Sequence, residues 1–393
     1  MTIVRVKLAK VVDVKGGKRL PSGAAFSTEP TSHPYIRGQD IRGGRIRASE
    51  QFYITDDVFE KIRRYTVQVG DVCITIVGNI GDVGITPPEL DGANLTENAV
   101  KLIPTTLNLD SRFLAYALLS PDAQQQMKLS AAGAAQPKLG IYKVNDIEIP
   151  FLQVERQRRI AAILSAYDDL IENNMRRIAI LEEMARRIYE EWFVRFRFPG
   201  HEQTRMVESE VGPVPEGWRV CRLGDEIELA YGKALKAEDR VEGDIPVYGS
   251  SGVVGLHSFS LVDGPGIIVG RKGNVGSVHW CDVPFFPIDT VFYVKSALPL
   301  HFVFFNLQQQ NFLNNDAAVP GLNRNQAYAL PLLVPSPDLL ARFANTCASL
   351  LGLTRVLSRK NHNLRTTRDL LLPRLISGEL DVSDLPEPQA VVA

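Results

Sequence analysis

Polar side chains set among closely spaced glycines are the residues of this chain best placed to do chemistry, and they occur in two copies. Val77-Gly78-Asn79-Ile80-Gly81-Asp82-Val83-Gly84 returns as Val269-Gly270-Arg271-Lys272-Gly273-Asn274-Val275-Gly276. Glycine at every third position allows tight turns and lets main-chain amides approach an anion such as a phosphate, while Asn79, Arg271, Lys272 and Asn274 carry groups that reach base edges. A plain hairpin turn is the simpler reading of either segment alone. A second loop also recurs: Gly133-Ala134-Ala135-Gln136-Pro137-Lys138-Leu139 is matched by Asp316-Ala317-Ala318-Val319-Pro320-Gly321-Leu322-Asn323-Arg324. Gln136, Lys138, Asn323 and Arg324 there suit bases or phosphates, and a surface connector is the alternative. Near the start, Lys15, Lys18 and Arg19 lie on a glycine loop, followed by Arg37, Gln39, Arg42, Arg45 and Arg47. Such a run is usually a solvated face, yet Arg and Gln interleaved with Gly are also what major-groove contact requires. Lys233, in the repeat of Gly17-Lys18, completes the candidate set with Lys236, Tyr248 and Ser250.

Motifs of catalysis are missing. The chain has no Gly-x-x-x-x-Gly-Lys-Ser/Thr phosphate loop, no His-Glu-x-x-His, no Gly-x-Ser-x-Gly and no Asn/Asp-Pro-Pro-Tyr/Phe. The six histidines are scattered, and His279-Trp280-Cys281 reads as part of a strand. Cys73, Cys221, Cys281 and Cys347 form no Cys-x-x-Cys pair, which argues against a zinc site or disulfide framework and for a reduced, cytoplasmic setting. No apolar run reaches the roughly 18 residues that span a bilayer. No catalytic residue and no metal ligand is therefore expected.

Charge divides unevenly. The formal net charge is -1, but residues 1 to 50 hold ten basic side chains against four acidic ones, and residues 199 to 335 hold fifteen acidic against ten basic. The first half has a cationic surface to offer a polyanion, whereas the second must rely on local contacts.

The elements that hold these loops follow the same duplication. Residues 1–150 show short alternating runs such as Asp71-Val72-Cys73-Ile74-Thr75-Ile76-Val77, broken by glycine turns, with helical spacing at Asp110 to Leu119; residues 216–335 repeat that plan, with Leu300 to Leu313 as the matching helix. The repeat interval shrinks from 215 positions (Leu8 to Leu223) to 192 (Gly78 to Gly270) and 185 (Pro150 to Pro335), so the second copy has shorter loops. Over 151–198 the pattern becomes a coiled-coil seam at Leu164, Tyr167, Ile171, Asn174, Ile178, Leu181, Ala185 and Ile188, stopping before Pro199. A second seam over 336–378 is expected at Leu350, Leu353, Leu357, Lys360, Leu364, Thr367, Leu371 and Arg374, with Lys360 as counterpart of Asn174. Each helix extends about 60 Å at about 1.5 Å per residue. Residues 199–215 read as a linker and 379–393 as a loose tail. The expected fold is α+β: two similar domains, mixed but mostly β, joined by two long helices that form an antiparallel coiled coil with pseudo-twofold symmetry. The alternative is that each helix packs only on its own domain.

Several of these segments together resemble one family. Pro215-Glu216-Gly217-Trp218-Arg219-Val220 leading to Leu223-Gly224-Asp225, the two glycine loops, the Ala-Gln-Pro loop before Ile149-Pro150, Glu155-Arg156-Gln157-Arg158-Arg159-Ile160, and Phe196-Arg197-Phe198-Pro199-Gly200-His201-Glu202 are similar to the specificity subunit of type I restriction-modification systems. The resemblance spans essentially the whole chain. It implies two target-recognition domains, each reading one half of a split site in double-stranded DNA, and a coiled coil that sets their spacing. It further implies two modification subunits that bring S-adenosylmethionine, and motor-nuclease restriction subunits that use ATP and Mg2+, so this chain would be non-catalytic. Two readings from other classes stay open on residues alone: an enzyme acting on DNA or glycan whose site gathers remote residues, and a scaffold that only assembles proteins.

Overall fold

The computed structural model describes residues 4–47, 50–132, 137–312 and 321–385. The chain divides into two compact units, residues 1–173 with 360–393 and residues 174–359. Each unit thus contains one recurring module and a segment of both long helices.

In the first unit a six-stranded sheet runs in the order Val12–Gly16, Ala99–Pro104, Val72–Thr75, Val83–Ile85, Gly44–Ile46, Ile41–Arg42. A three-stranded sheet has Pro34–Ile36 at its centre, antiparallel to Phe52–Tyr53 and parallel to Asn94–Leu95. The strand Val72–Thr75 is buried on both faces because sheet and helix Ser111–Leu119 cover it, which is why it reads as Val-Cys-Ile-Thr without alternation. Asp110 begins that helix by accepting from the amides of Arg112 and Phe113, both at 3.0 Å. The strand Arg5–Lys7 pairs with Glu148–Pro150, so the two ends of the module meet where the helix begins.

The second unit reproduces the frame with a smaller main sheet. Its four-stranded sheet, Ile227–Tyr231, Val291–Ser296, Gly266–Gly270, Val278–Cys281, has the order of the first four strands above. Ile245–Gly249 again lies parallel to its partner, Phe286–Pro287, and Arg219–Arg222 closes the module against Pro331–Val334. His279, Trp280 and Cys281 lie on a strand, as expected, with Cys281 buried. The helix Leu300–Gln309 stands where Ser111–Leu119 stands in the first unit.

The first long helix spans Val154–Tyr189 and passes into a π-helical turn, Glu190–Val194, before Pro199. Its expected seam is the face turned inward: Leu164, Ile171 and Ala185 are buried and Tyr167, Asn174, Ile178, Leu181 and Ile188 half-buried. The second long helix spans Pro337–Ile376, and here the expected seam is half wrong. Leu350, Leu357, Leu364 and Leu371 face inward, but Leu353, Lys360, Thr367 and Arg374 are exposed, and the residues turned inward between the leucines are Thr354, Asn361, Arg368 and Leu375. Leucines seven apart fit a three-then-four or a four-then-three alternation equally, and packing selects the second. The inward polar residue is accordingly Asn361 and not Lys360; its amide donates to Ile171 O at 3.4 Å.

Within the first unit, Ile160 and Leu164 of one helix share a core with Leu372, Leu375 and Ile376 of the other, while Ile171 meets Asn361, so the two segments run in opposite directions. The same core takes in Phe113, Leu114 and Leu118 of the module. In the second unit Ala185 and Tyr189 share a core with Leu340, Phe343 and Cys347, and with Phe302 and Phe305 of its module. Helix pairing and packing on the module, posed as alternatives by the sequence, both occur in each unit.

Candidate nucleic-acid interface

In the first unit the glycine segment is the hairpin between Val72–Thr75 and Val83–Ile85. Gly78 and Gly81 take left-handed backbone angles, φ +79° and +91°. Thr75 N donates to Asp82 O at 2.9 Å, Gly81 N to Thr75 O at 3.0 Å and Ile80 N to Gly78 O at 2.9 Å, and the Thr75 hydroxyl donates to Asn79 O. Burial raises the Asp82 carboxyl above its usual range, opposed by the nearby Arg42. Leu139 N donates to Ile76 O at 3.0 Å and Lys138 bridges to Val77, so the two recurring loops lie side by side. Gln136, with Gly133, Ala134 and Ala135, lies outside the described residues.

A third loop completes the arrangement. Asn98 O accepts from Ile76 N at 2.7 Å, Leu95 O from Lys18 N at 2.7 Å, and Ala99 O from Gly17 N at 3.1 Å. Gly17 must be glycine, because a Cβ there would stand 2.0 Å from Thr96 O. Between these loops opens a cleft of about 500 Å³ whose lining includes Arg19, Arg37, Gln39 and Asn79, four of the candidate residues. Arg37 is held in place: its guanidinium donates to Asp40 at 2.8 and 3.1 Å and lies 3.8 Å from the centre of the Phe52 ring. The remaining cationic candidates do not line this cleft. Lys18 is exposed beside the Tyr65 ring, Arg42 is exposed, and Lys15 pairs with Asp13 at 2.9 Å. Arg45 is paired with Asp169 at 2.5 Å and Arg47 with Glu172, both on the first long helix.

The second unit builds the same three-loop junction from other side chains. Gly273 and Gly276 have φ +79° and +76°. Gly270 N donates to Ser277 O at 2.8 Å, Gly276 N to Gly270 O at 2.8 Å and Val275 N to Gly273 O at 2.9 Å. Leu322 N donates to Arg271 O at 2.8 Å, Arg271 N to Thr290 O at 2.9 Å and Lys233 N to Pro287 O at 3.0 Å. Gly232 repeats the constraint on Gly17, since a Cβ would stand 2.1 Å from Ile288 O. The guanidinium groups of Arg271 and Arg324 lie 5.0 and 5.1 Å from the centre of the Tyr231 ring. Ser250 ties down the hairpin, its hydroxyl accepting from Asn274 N at 3.3 Å and its carbonyl from the Ser277 hydroxyl at 2.6 Å. Asn323 caps the helix Arg324–Ala329, accepting from Asn325 N and Gln326 N. Lys272 and Lys236 are exposed, Lys236 lying 3.5 Å from Glu238. Tyr248 packs edge-on against Phe285, and burial with the Cys281 thiol beside it pushes its phenol up. Residues 313–320, which hold most of the second Ala-rich loop, lie outside the described residues.

The hydrogen bonds correct the repeat itself. Gly78 corresponds to Gly273, and Gly81 to Gly276, an interval of 195 positions where the sequence suggested 192. Asn79 therefore matches Asn274, not Arg271, and the shared segment is Gly-Asn-Ile/Val-Gly-x-Val. A Gly-x-x-Gly-x-x-Gly run superposes its glycines on themselves after a slip of three. The positive φ of the first two matched glycines and the hydrogen bonds within each hairpin decide between the two registers.

A family model described as the type I restriction modification DNA specificity domain matches residues 2–183 and 215–337. The chain belongs to this family. The MjaIX specificity subunit of Methanocaldococcus jannaschii is 23% identical over 418 residues, covering 96% of both chains. The HindI specificity subunit of Haemophilus influenzae is 22% identical, covering 74% of this chain and 82% of its own length. The crystal structure of a type I restriction-modification S subunit from M. genitalium aligns with a TM-score of 0.57 at 18% identity, over 95% of this chain and 96% of that one, which shows a shared fold. A specificity subunit is non-catalytic, and its two recognition modules here are the ones that carry the three-loop junctions. Among the described residues no group of three or more His, Cys, Asp or Glu side chains is placed to hold a metal ion. Among the described residues no helix is long and apolar enough to cross a membrane.

Sequence reasoning missed Tyr231 and the turn Thr96–Asn98. Tyr231 is 49% exposed despite its size. Its only signal is its place directly before Gly232-Lys233, at the end of a strand.

Proposed function

We propose that this specificity subunit recognises a bipartite, asymmetric site in double-stranded DNA, each module contacting one half through its three-loop junction. The observation that carries this reading is the duplication of one hydrogen-bonded frame with different side chains on it. Arg19, Arg37, Gln39 and Asn79 are offered in the first module, and Arg271, Lys272, Asn274 and Arg324 in the second. A common frame serves a common ligand, and unlike side chains imply unlike half-sites. The second module is acidic over residues 199 to 335, so its guanidinium pair around Tyr231 supplies the local cation that bulk charge does not. Lys15, Lys18, Arg42, Lys138, Lys233 and Lys236 act as positioning contacts to phosphate.

The two long helices serve as spacer and as docking surface for two modification subunits, which bring S-adenosylmethionine. Motor-nuclease subunits using ATP and Mg2+ complete the restriction complex. The test exchanges residues 216–335 for those of a relative and sequences the methylome of cells carrying the chimaeric complex. One half-site is expected to change while the other is retained; an unchanged methylation motif overturns the reading.

A further inference from the structure

The turn that completes each three-loop junction carries a carboxylate at the same place. In the first module Glu97 sits between Thr96 and Asn98, in the turn closed by Ala99 N donating to Thr96 O at 3.2 Å. In the second, Asp289 sits between Ile288 and Thr290, in the turn closed by Val291 N donating to Ile288 O at 3.2 Å. The surrounding bonds correspond one by one. Thr96 N donates to Ile36 O at 3.0 Å and Ile288 N to Tyr248 O at 2.9 Å; Ile76 N donates to Asn98 O and Arg271 N to Thr290 O; Lys18 N donates to Leu95 O and Lys233 N to Pro287 O. Glu97 and Asp289 are 192 positions apart, in a part of the repeat where nearly every other side chain differs.

Both carboxylates are exposed, and among the described residues neither is in an ion pair, although the arginines of the junction are near. Glu97 lines the cleft with Arg19, Arg37 and Asn79, and one of its oxygens accepts from the Thr96 hydroxyl at 3.1 Å, which orients the group. Arg271 reaches the carbonyl of Asp289, at 3.1 Å, and not its carboxylate. A carboxylate held on a surface that meets a phosphate backbone costs binding energy on every sequence. The exception is a carboxylate that accepts a hydrogen bond from an exocyclic base amino group, which the major groove presents as cytosine N4 or adenine N6.

We propose that Glu97 and Asp289 are specificity-determining residues, each accepting from an exocyclic amino group of one base in its half-site. This rests on the reading that the junctions meet DNA. Each acts by rewarding one base and by repelling thymine O4 or guanine O6 at the same position.

The experiment compares E97Q, E97A, D289N and the parent in the complete methylating complex. It reads the methylome, the affinity for specific and unrelated DNA across a salt series, and the melting temperature. E97Q, nearly isosteric with the parent and at an exposed position, keeps the fold testable should E97A fail to assemble. Discrimination at one base of the first half-site is expected to fall by about tenfold or more with the second half-site intact, and D289N to do the converse. The relaxed base identifies cytosine or adenine. A motif unchanged at every position, with affinity raised equally on all DNA, overturns the proposal and makes the carboxylates bystanders. R19A and N79A separate the two levels. If they weaken DNA binding while E97Q leaves the motif alone, only this inference fails; if they too change nothing, the DNA-facing assignment of the junction fails with it.

Discussion

Gly17 and Gly232 show how one missing Cβ can fix a junction. Each lets its module's outer strand cross within van der Waals reach of the acidic turn, and its neighbour, Lys18 or Lys233, donates its amide there. Gly17→Ala and Gly232→Ala each force a Cβ to within 2.0 or 2.1 Å of a backbone carbonyl oxygen, which cannot swing aside as a side chain can. Each is expected to destabilise its unit by about 2 kcal/mol or more in denaturant unfolding. Gly352 is the contrast: it lies within the second long helix, and a Cβ added there would meet nothing within 4 Å. Gly352→Ala should stabilise by up to about 1 kcal/mol in the same measurement. Equal losses at all three positions would mean that the close carbonyls are not the cause.

The elements are joined differently in the two units. In the first, the buried Asp168 of the long helix accepts from the Tyr116 hydroxyl at 2.6 Å and pairs with Arg368 of the other helix. Burial, with Asp168 beside it, pushes the Tyr116 phenol far above its ordinary value. At the rim Arg45 and Arg47 pair with Asp169 and Glu172. In the second unit Thr354 stands 186 positions after Asp168 and merely bonds back to Leu351 O at 2.8 Å. The joint there is aromatic, with Tyr189, Phe193, Phe302, Phe305 and Phe343 in mutual ring contact. A rim pair, Arg355 with Asp282, has the opposite polarity to Arg45 with Asp169 at the matching helix position. Asp168→Ala strands a buried tyrosine hydroxyl and a guanidinium, so it should cost about 2–4 kcal/mol in urea unfolding. Arg45→Ala removes an exposed pair and should cost under about 1 kcal/mol. It also decides what Arg45 is for: a phosphate contact lowers the salt slope of DNA binding by about one when removed, whereas a brace between strand and helix leaves the slope alone. The ion pair favours the brace.

At the scale of the whole chain, two copies of one module alternate with two long helices, and each compact unit draws on both helices. A continuous helix transmits length residue by residue, so the spacer proposal has a direct consequence. Inserting seven residues, about 10 Å of helix, into each helix at matching seam positions keeps the seam in phase and should lengthen the gap between methylated half-sites by about three base pairs. A methylome with an unaltered gap refutes the spacer role. What the sequence determined by itself is what local pattern encodes: duplicated modules, shorter loops in the second copy, strands broken by glycine, two helical seams, and the absence of catalytic motifs. Arg19, Arg37 and Gln39 were legible as part of a basic run near the start and Asn79 as part of a separate glycine segment, but it is the tertiary structure that brings the four around one cleft. Tertiary structure alone decided the 195-residue register of the hairpins, since a three-residue glycine period is blind to a slip of three. It alone placed Asn361 rather than Lys360 on the seam, since leucines seven apart fit either alternation. It alone drew Arg45 to Asp169 and set Glu97 and Asp289 in equivalent turns, because such partners are fixed by packing between segments far apart in the chain, where no local spacing records them.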